Sequence, residues 1–258
     1  MKILKLLEEG KINAEEAARL LEAIGESEGR KRRGFFWQGM ESLSDMMSDM
    51  MGMVFSTAFK NHPTLEKFRT SGKKKIEFKG ISGDIEINGL ETDEIVVEKD
   101  GFAKIIETSD SLIIKAISGN VKINTPAKID LEIKGLSGDI HLNNLTGRIE
   151  MVSVSGDIVG RRLKGVFKGE FVSGDVDLEF EEIEDIEINS RYGDIILHIN
   201  PTQEAEIEVM TDEGDINCEL PLKDLIKKPN YLKGILNTAK AKIYINNRHG
   251  DIKLKAIL

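Results

Sequence analysis

Leu131-Glu132-Ile133-Lys134-Gly135-Leu136-Ser137-Gly138-Asp139-Ile140-His141-Leu142 is the stretch whose reading decides the fold. Its apolar residues alternate on both sides of Ser-Gly-Asp, the pattern of two short strands joined at a tight corner. The phrase recurs eight times, at Gly83-Asp84, Gly119-Asn120, Gly138-Asp139, Gly156-Asp157, Gly174-Asp175, Gly193-Asp194, Gly214-Asp215 and Gly250-Asp251. The first five carry serine before the glycine; Tyr192, Glu213 and His249 replace it in the last three. Successive glycines lie 36, 19, 18, 18, 19, 21 and 36 residues apart, so both long gaps are twice eighteen. A fixed period of this size is the signature of stacked coils.

Counting from each glycine, positions seven and five before it and two and four after it are apolar, apart from Gly169 and Gly160. Each strand therefore presents one face inward, and equivalent strands of successive coils can pair in parallel. The glycine supplies a positive φ that a Cβ would oppose. The aspartate is expected to hold the corner by accepting hydrogen bonds from backbone N–H groups just ahead of it. The spacing predicts an all-β parallel β-solenoid (β-helix) over residues 76–258, of about ten short coils and ~45–50 Å long. Residues 91–110 lack a matching turn, and residues 221–242 are expected to form a helix or loop lid over the stack.

A small α-helical region is expected ahead of the coils. Residues 1–25 read as a helical hairpin, with Gly10 ending the first helix and Asn13 and Glu16 forming a capping-box pattern on the second. A hairpin this short buries too little surface to stand alone, so it reads as a docking or oligomerisation device. Residues 26–75 read as a basic linker with a methionine-rich amphipathic helix. Arg30, Lys31, Arg32 and Arg33 precede Trp37, and Phe36, Met40, Leu43, Met47, Met50 and Val54 fall on one helical face. Glu41, Ser44, Asp45, Ser48 and Asp49 cover the other side. Two occupants suit such a face: an anionic membrane surface, with the cationic clusters drawn to lipid, or another protein element, in this chain or a partner.

Charge is unevenly placed: residues 1–75 carry net +3 and the remainder net −12, giving −9 for the 258-residue chain. An acidic repeat body argues against a nucleic-acid groove. The single cysteine, Cys218, alternates in phase with Ile216 and Leu220 and reads as a small buried residue. The N-terminus breaks its apolar run with charges, unlike a signal peptide, and no stretch is apolar enough to cross a bilayer, so the expected location is the cytoplasm, free or peripheral at the inner membrane. A row of turn aspartates could bind cations, but the dense glycine period of calcium-binding β-rolls is absent, and no metal or cofactor is expected. Arg161, Arg162, Asp177, Glu179 and Arg191 are the exposed groups a carbohydrate-acting β-helix enzyme would use, yet they are scattered in sequence. His62, His141, His198 and His249 show no ligand spacing and read as surface residues.

The Ser-Gly-Asp-Ile repeats resemble the bacterial DUF4097 family, whose members are often called adhesins, across residues 76–258. The run Ile3-Leu4-Lys5-Leu6-Leu7-Glu8-Glu9-Gly10-Lys11-Ile12-Asn13-Ala14-Glu15-Glu16-Ala17 is similar to the SHOCT-like module that precedes such repeats. The resemblance implies a parallel β-solenoid, no catalytic residues and a link to envelope-stress systems at the inner membrane. The expected function is a non-enzymatic scaffold that meets a protein partner, or itself, through residues 2–59. A carbohydrate-acting enzyme and an exported adhesin are the alternatives.

Overall fold

The computed structural model describes residues 66–257, which form strands and no helix. In chain order these are β1 (Glu66–Ser71), β2 (Lys75–Gly80), β3 (Ile85–Leu90), β4 (Glu94–Lys99), β5 (Phe102–Glu107), β6 (Ser111–Ser118) and β7 (Val121–Pro126). There follow β8 (Asp130–Ser137), β9 (Ile140–Asn143), β10 (Thr146–Ser155), β11 (Ile158–Ser173), β12 (Val176–Tyr192) and β13 (Ile195–Ile199). The last are β14 (Ala205–Glu213), β15 (Ile216–Cys218), β16 (Leu222–Lys228), β17 (Tyr231–Leu236), β18 (Ala241–His249) and β19 (Ile252–Ala256).

Each repeat is one lap of two strands around a corner, and like strands pair in parallel. The strands before the corner run β6-β2-β8-β10-β11-β12-β18-β14. Those after it run β7-β3-β9-β11-β12-β13-β19-β15, with the long β11 and β12 passing through both ladders. The result is an all-β, solenoid-like stack. Eight laps lie in register, not the ten expected, and about 34 Å separates the first from the last. The two long gaps hold no further laps.

The order of laps also departs from the order of the chain. Ile76 pairs with both Leu112 and Leu131, which puts the first lap between the second and the third. Ile243 pairs with both Ile186 and Ile207, so the last lap in sequence is next to last in space. The residues in the long gaps carry the chain past one lap and back. On the way they close the open edges: β4 runs antiparallel to β7, with β1 antiparallel to β4, and β5 runs antiparallel to β6. At the other end β17 pairs antiparallel to β14, and β16 to β17.

The helix or lid expected over residues 221–242 is therefore a β-hairpin, because the free edge of β14 offers a row of backbone groups that a strand satisfies better than a helix. Its outermost strand, Leu-Lys-Asp-Leu-Ile-Lys-Lys, is exposed and lysine-rich, which discourages further edge pairing. β1 lies within the span read as linker, so the sheet reaches back past residue 76 to Glu66. The residues expected to be helical, including all of 1–25, lie outside the described residues.

Rows of inward Ile, Leu, Val and Phe form one continuous core, each side chain contributing about 1.5–3 kcal/mol of burial. The two exceptions to the apolar pattern answer to packing. A Cβ on Gly169 would stand 2.4 Å from the Phe171 ring, and one on Gly160 would stand 2.7 Å from both Leu163 and Leu178. Neighbouring bulk thus fills the space that each glycine leaves.

Candidate functional site

The corners lie over one another, and this aligns the motif residues into rows that run the length of the stack. At every corner the glycine has positive φ, from +89° to +147°. A Cβ on Gly156 would approach the Gly138 carbonyl oxygen to 2.2 Å, and one on Gly174 the Gly156 oxygen to 2.1 Å. Glycine is required twice over, by its φ and by the lap beneath.

The aspartates act between laps, not within their own turn as the sequence suggested. The backbone N–H of Asp157 donates to Asp139 Oδ1 at 2.8 Å, that of Asp175 to Asp157, and that of Asp194 to Asp175. The chain of bonds continues from Asp215 to Asp251, from Asp251 to Asp194, from Asp139 to Asp84, and from Asp84 to Asn120. It ends where the Asn120 N–H meets Asp100 Oδ1 at 2.6 Å, a terminal acceptor the repeat count missed. In the opposite sense the residue after each aspartate donates to the neighbouring aspartate's carbonyl, as Ile140 does to Asp157 at 2.9 Å and Ile158 to Asp175 at 2.8 Å. Positive φ at the glycine turns the aspartate N–H along the stack axis, so the next lap supplies the partner. One carboxylate oxygen of Asp84, Asp139, Asp157, Asp175, Asp194 and Asp251 is thereby committed to the backbone, while Asp215 at the end of the stack only donates. Among the described residues, no three His, Cys, Asp or Glu side chains are grouped to hold a metal ion.

The residue before the glycine forms a second row. Ser137, Ser155 and Ser173 stack in register, and Ser173 meets Tyr192. Because the last two laps are exchanged, His249 comes to lie between Tyr192 and Glu213 in the three serine-free copies. Tyr192 stacks on His249 with ring centroids 5.0 Å apart and planes 7° apart, and His249 Nδ1 lies 3.0 Å from Glu213 Oε2. Missing serines were the signal in the sequence; the spatial order of the three copies was not visible there.

A further cluster sits on the outer face of the strands after the corner. Arg161 binds Asp177 through two bonds of 2.8 and 3.0 Å, and His198 Nε2 lies 3.2 Å from the same carboxylate. Arg162 is held at φ 53°. Two of the five exposed candidates, Arg161 and Asp177, are thus joined, and His198, expected only as a surface residue, is the third member. His141 instead lines a shallow cleft with Asp84, Glu86, Asp100, Asn120 and Lys122. Lys122 pairs there with Glu86 at 2.9 Å. The hydrogen bond from Asn88 and the Lys122 ammonium hold the Glu86 carboxyl below the usual range.

Two carboxyls on the strands before the corner are displaced in opposite directions. Burial would raise Glu132, but Lys134 at 2.8 Å and Lys75 at 2.6 Å outweigh it and hold it down to about 2. Glu170 is 9% exposed and is raised to about 7, first by burial and then by the charge of Glu187. Cys218 is half-buried against the core, as its alternation implied, and burial pushes its thiol up. The residues expected to contact a partner or membrane, Arg30 to Val54, lie outside the described residues, as does His62.

A family model described as Toastrack DUF4097 matches residues 42–255, and one described as a SHOCT-like domain matches residues 1–29. No curated protein matches the sequence. Among solved structures, a candidate cell adhesion protein from Clostridium sporogenes ATCC 15579 is 15% identical, with 75% of this chain and 100% of that chain covered at TM-score 0.44. A candidate adhesin from Bacteroides fragilis NCTC 9343 is 13% identical, covering 74% of this chain and 98% of that chain at TM-score 0.30. A candidate lipid binding protein from Parabacteroides distasonis ATCC 8503 is 10% identical, covering 76% and 95% at TM-score 0.24.

Proposed function

The chain belongs to the Toastrack DUF4097 family, and from that premise we propose that it is a non-enzymatic interaction scaffold that docks through the residues ahead of its β-stack. The observation that carries this reading is the turn ladder. Its motif residues are spent on lap-to-lap hydrogen bonds, which makes the stack a stiff support with side chains in rows about 4.8 Å apart. Such rows suit recognition of an extended surface. On this reading residues 1–29, which match a SHOCT-like domain, are the docking element. A protein partner or a second copy meets that element, and the cationic run Arg30–Arg33 draws the assembly to an anionic membrane surface. The place of action on this reading is the cytoplasmic side of the inner membrane, in a response to envelope stress.

The test compares the full chain with one lacking residues 1–29, and with one in which Arg30, Arg32 and Arg33 are replaced by Glu. Light scattering reads the assembly state, and sedimentation with phosphatidylglycerol vesicles at low and high salt reads membrane contact. Loss of assembly in the first variant and of salt-sensitive vesicle binding in the second is expected. A first variant that keeps the assembly state of the full chain rejects the docking role.

A further inference from the structure

The repeat has an apolar position that the core does not use. Two residues before each motif glycine stand Ile117, Ile81, Leu136, Val154 and Val172, in stacking order. In each lap the preceding residue (Ala116, Gly80, Gly135, Ser153 or Phe171) faces inward, so strand alternation directs these five to the outer face. They are absent from the core cluster. Even so, they are only 2–7% exposed. Every described strand belongs to the two ladders or pairs antiparallel at their ends, and none of them crosses this outer face. The row stops abruptly, since the next laps place Arg191, Arg248 and Asp212 at the same position.

We propose that the amphipathic segment Met40–Val54 of this same chain lies along the row, perpendicular to the strands, as a clamp over five laps. Its dimensions fit. The row spans about 19 Å, four intervals of ~4.8 Å, and a fifteen-residue helix from Met40 to Val54 is about 21 Å long. Met40, Leu43, Met47, Met50 and Val54 recur on average every 3.5 residues, a rise of ~5.3 Å that nearly matches the lap spacing. One apolar side chain therefore meets each lap, and flexible methionines absorb the small mismatch.

Polarity agrees with this placement: Glu41, Asp45 and Asp49 fall on the side opposite the apolar face, which here turns to solvent. Connection agrees as well. β1 begins at Glu66 and pairs with β4, which flanks β7 in the lap of Ile117. Val54 then lies at that end and Met40 at the Val172 end, and the residues between Val54 and Glu66 reach about 40 Å when extended. The family match also begins at residue 42, so the segment travels with the strands. The clamp is independent of the docking role given to residues 1–29.

Disulfide trapping in the full-length chain tests this, with Cys218→Ser removing the native thiol. Met47→Cys with Leu136→Cys should close a bond within one chain, identified by peptide mass, whereas Met47→Cys with Val172→Cys, two laps out of register, should not. Links found only between chains would assign the row to a second copy. No link, or equal yields from both pairs, would leave it to another partner or to lipid. Each of these results overturns the proposal. A second reading needs no engineered cysteine: Leu136→Glu should speed peroxide oxidation of Met47 and Met50 at least about fivefold. An unchanged rate also refutes the clamp.

Discussion

Replacing Asp157 separates the two things a row of aspartates could be doing. Asp157 sits mid-stack, donating its N–H to Asp139 and accepting the N–H of Asp175 at 2.8 Å. If its role is to accept that hydrogen bond, Asp157→Asn keeps an acceptor oxygen in place. The bond weakens from charge-assisted to neutral, a loss of about 1 kcal/mol. Against this, two neighbouring carboxylates about 5 Å away cease to repel it, a relief of up to ~0.8 kcal/mol each in water. The two changes nearly cancel, and Asn120 already holds the equivalent place against Asp84 at 2.9 Å.

Asp157→Ala instead removes the acceptor and strands the Asp175 N–H. Solvent reaches this corner, so the cost falls near the low end of the usual range, about 1–2 kcal/mol. Equilibrium urea unfolding of the full chain at pH 7 distinguishes the variants. Asn should fall within about 0.5 kcal/mol of the parent, with Ala clearly below both. An Asn variant as unstable as Ala would mean that the charge itself matters, through a bound cation or a charged partner, and would refute the backbone role.

Gly156→Ala should cost at least about 2–4 kcal/mol in the same assay because φ and the Gly138 carbonyl both oppose a Cβ. Gly72→Ala, with positive φ but nothing within 4 Å of its Cβ, should cost only about 1 kcal/mol. Glu170, raised to about 7 by burial and Glu187, binds a proton more tightly folded than unfolded. Its favourable contribution is complete below the ordinary carboxyl pKa and is lost as pH rises through about 7. Glu170→Gln should therefore stabilise the protein at pH 8, by up to about 3 kcal/mol, and have little effect at pH 4; a gain that does not grow with pH contradicts the burial argument. Cys218, its thiol raised by burial, should react with Ellman's reagent at pH 7 at least about tenfold more slowly than after unfolding.

Much of the fold was legible in the repeat. Ile76 and Phe78 before the first corner, and Ile85 and Ile87 after it, alternate as strands must, and all four are buried. Gly83 and its equivalents announced the corners. The misplaced elements were those whose form depends on what they lie against. Residues 222–236 carry enough leucine and isoleucine to suggest a helix, yet the unpaired edge of β14 draws them into strands. The Arg161-Asp177-His198 cluster and the Tyr192-His249-Glu213 row were hidden for a related reason. Their members come from different laps, and only the stacking register shows which laps touch.

Period, corner and inward face follow from the chain alone because each is a local matter: side-chain alternation along a strand, and a backbone angle that glycine alone adopts cheaply. The order of the laps is not local. Every lap offers its neighbour nearly the same edge of N–H and carbonyl groups, so any two could pair equally well along their length. The 36-residue connections and the burial of both ends choose among those pairings. Only in three dimensions does the first lap slip inside the second, and the last inside the one before it.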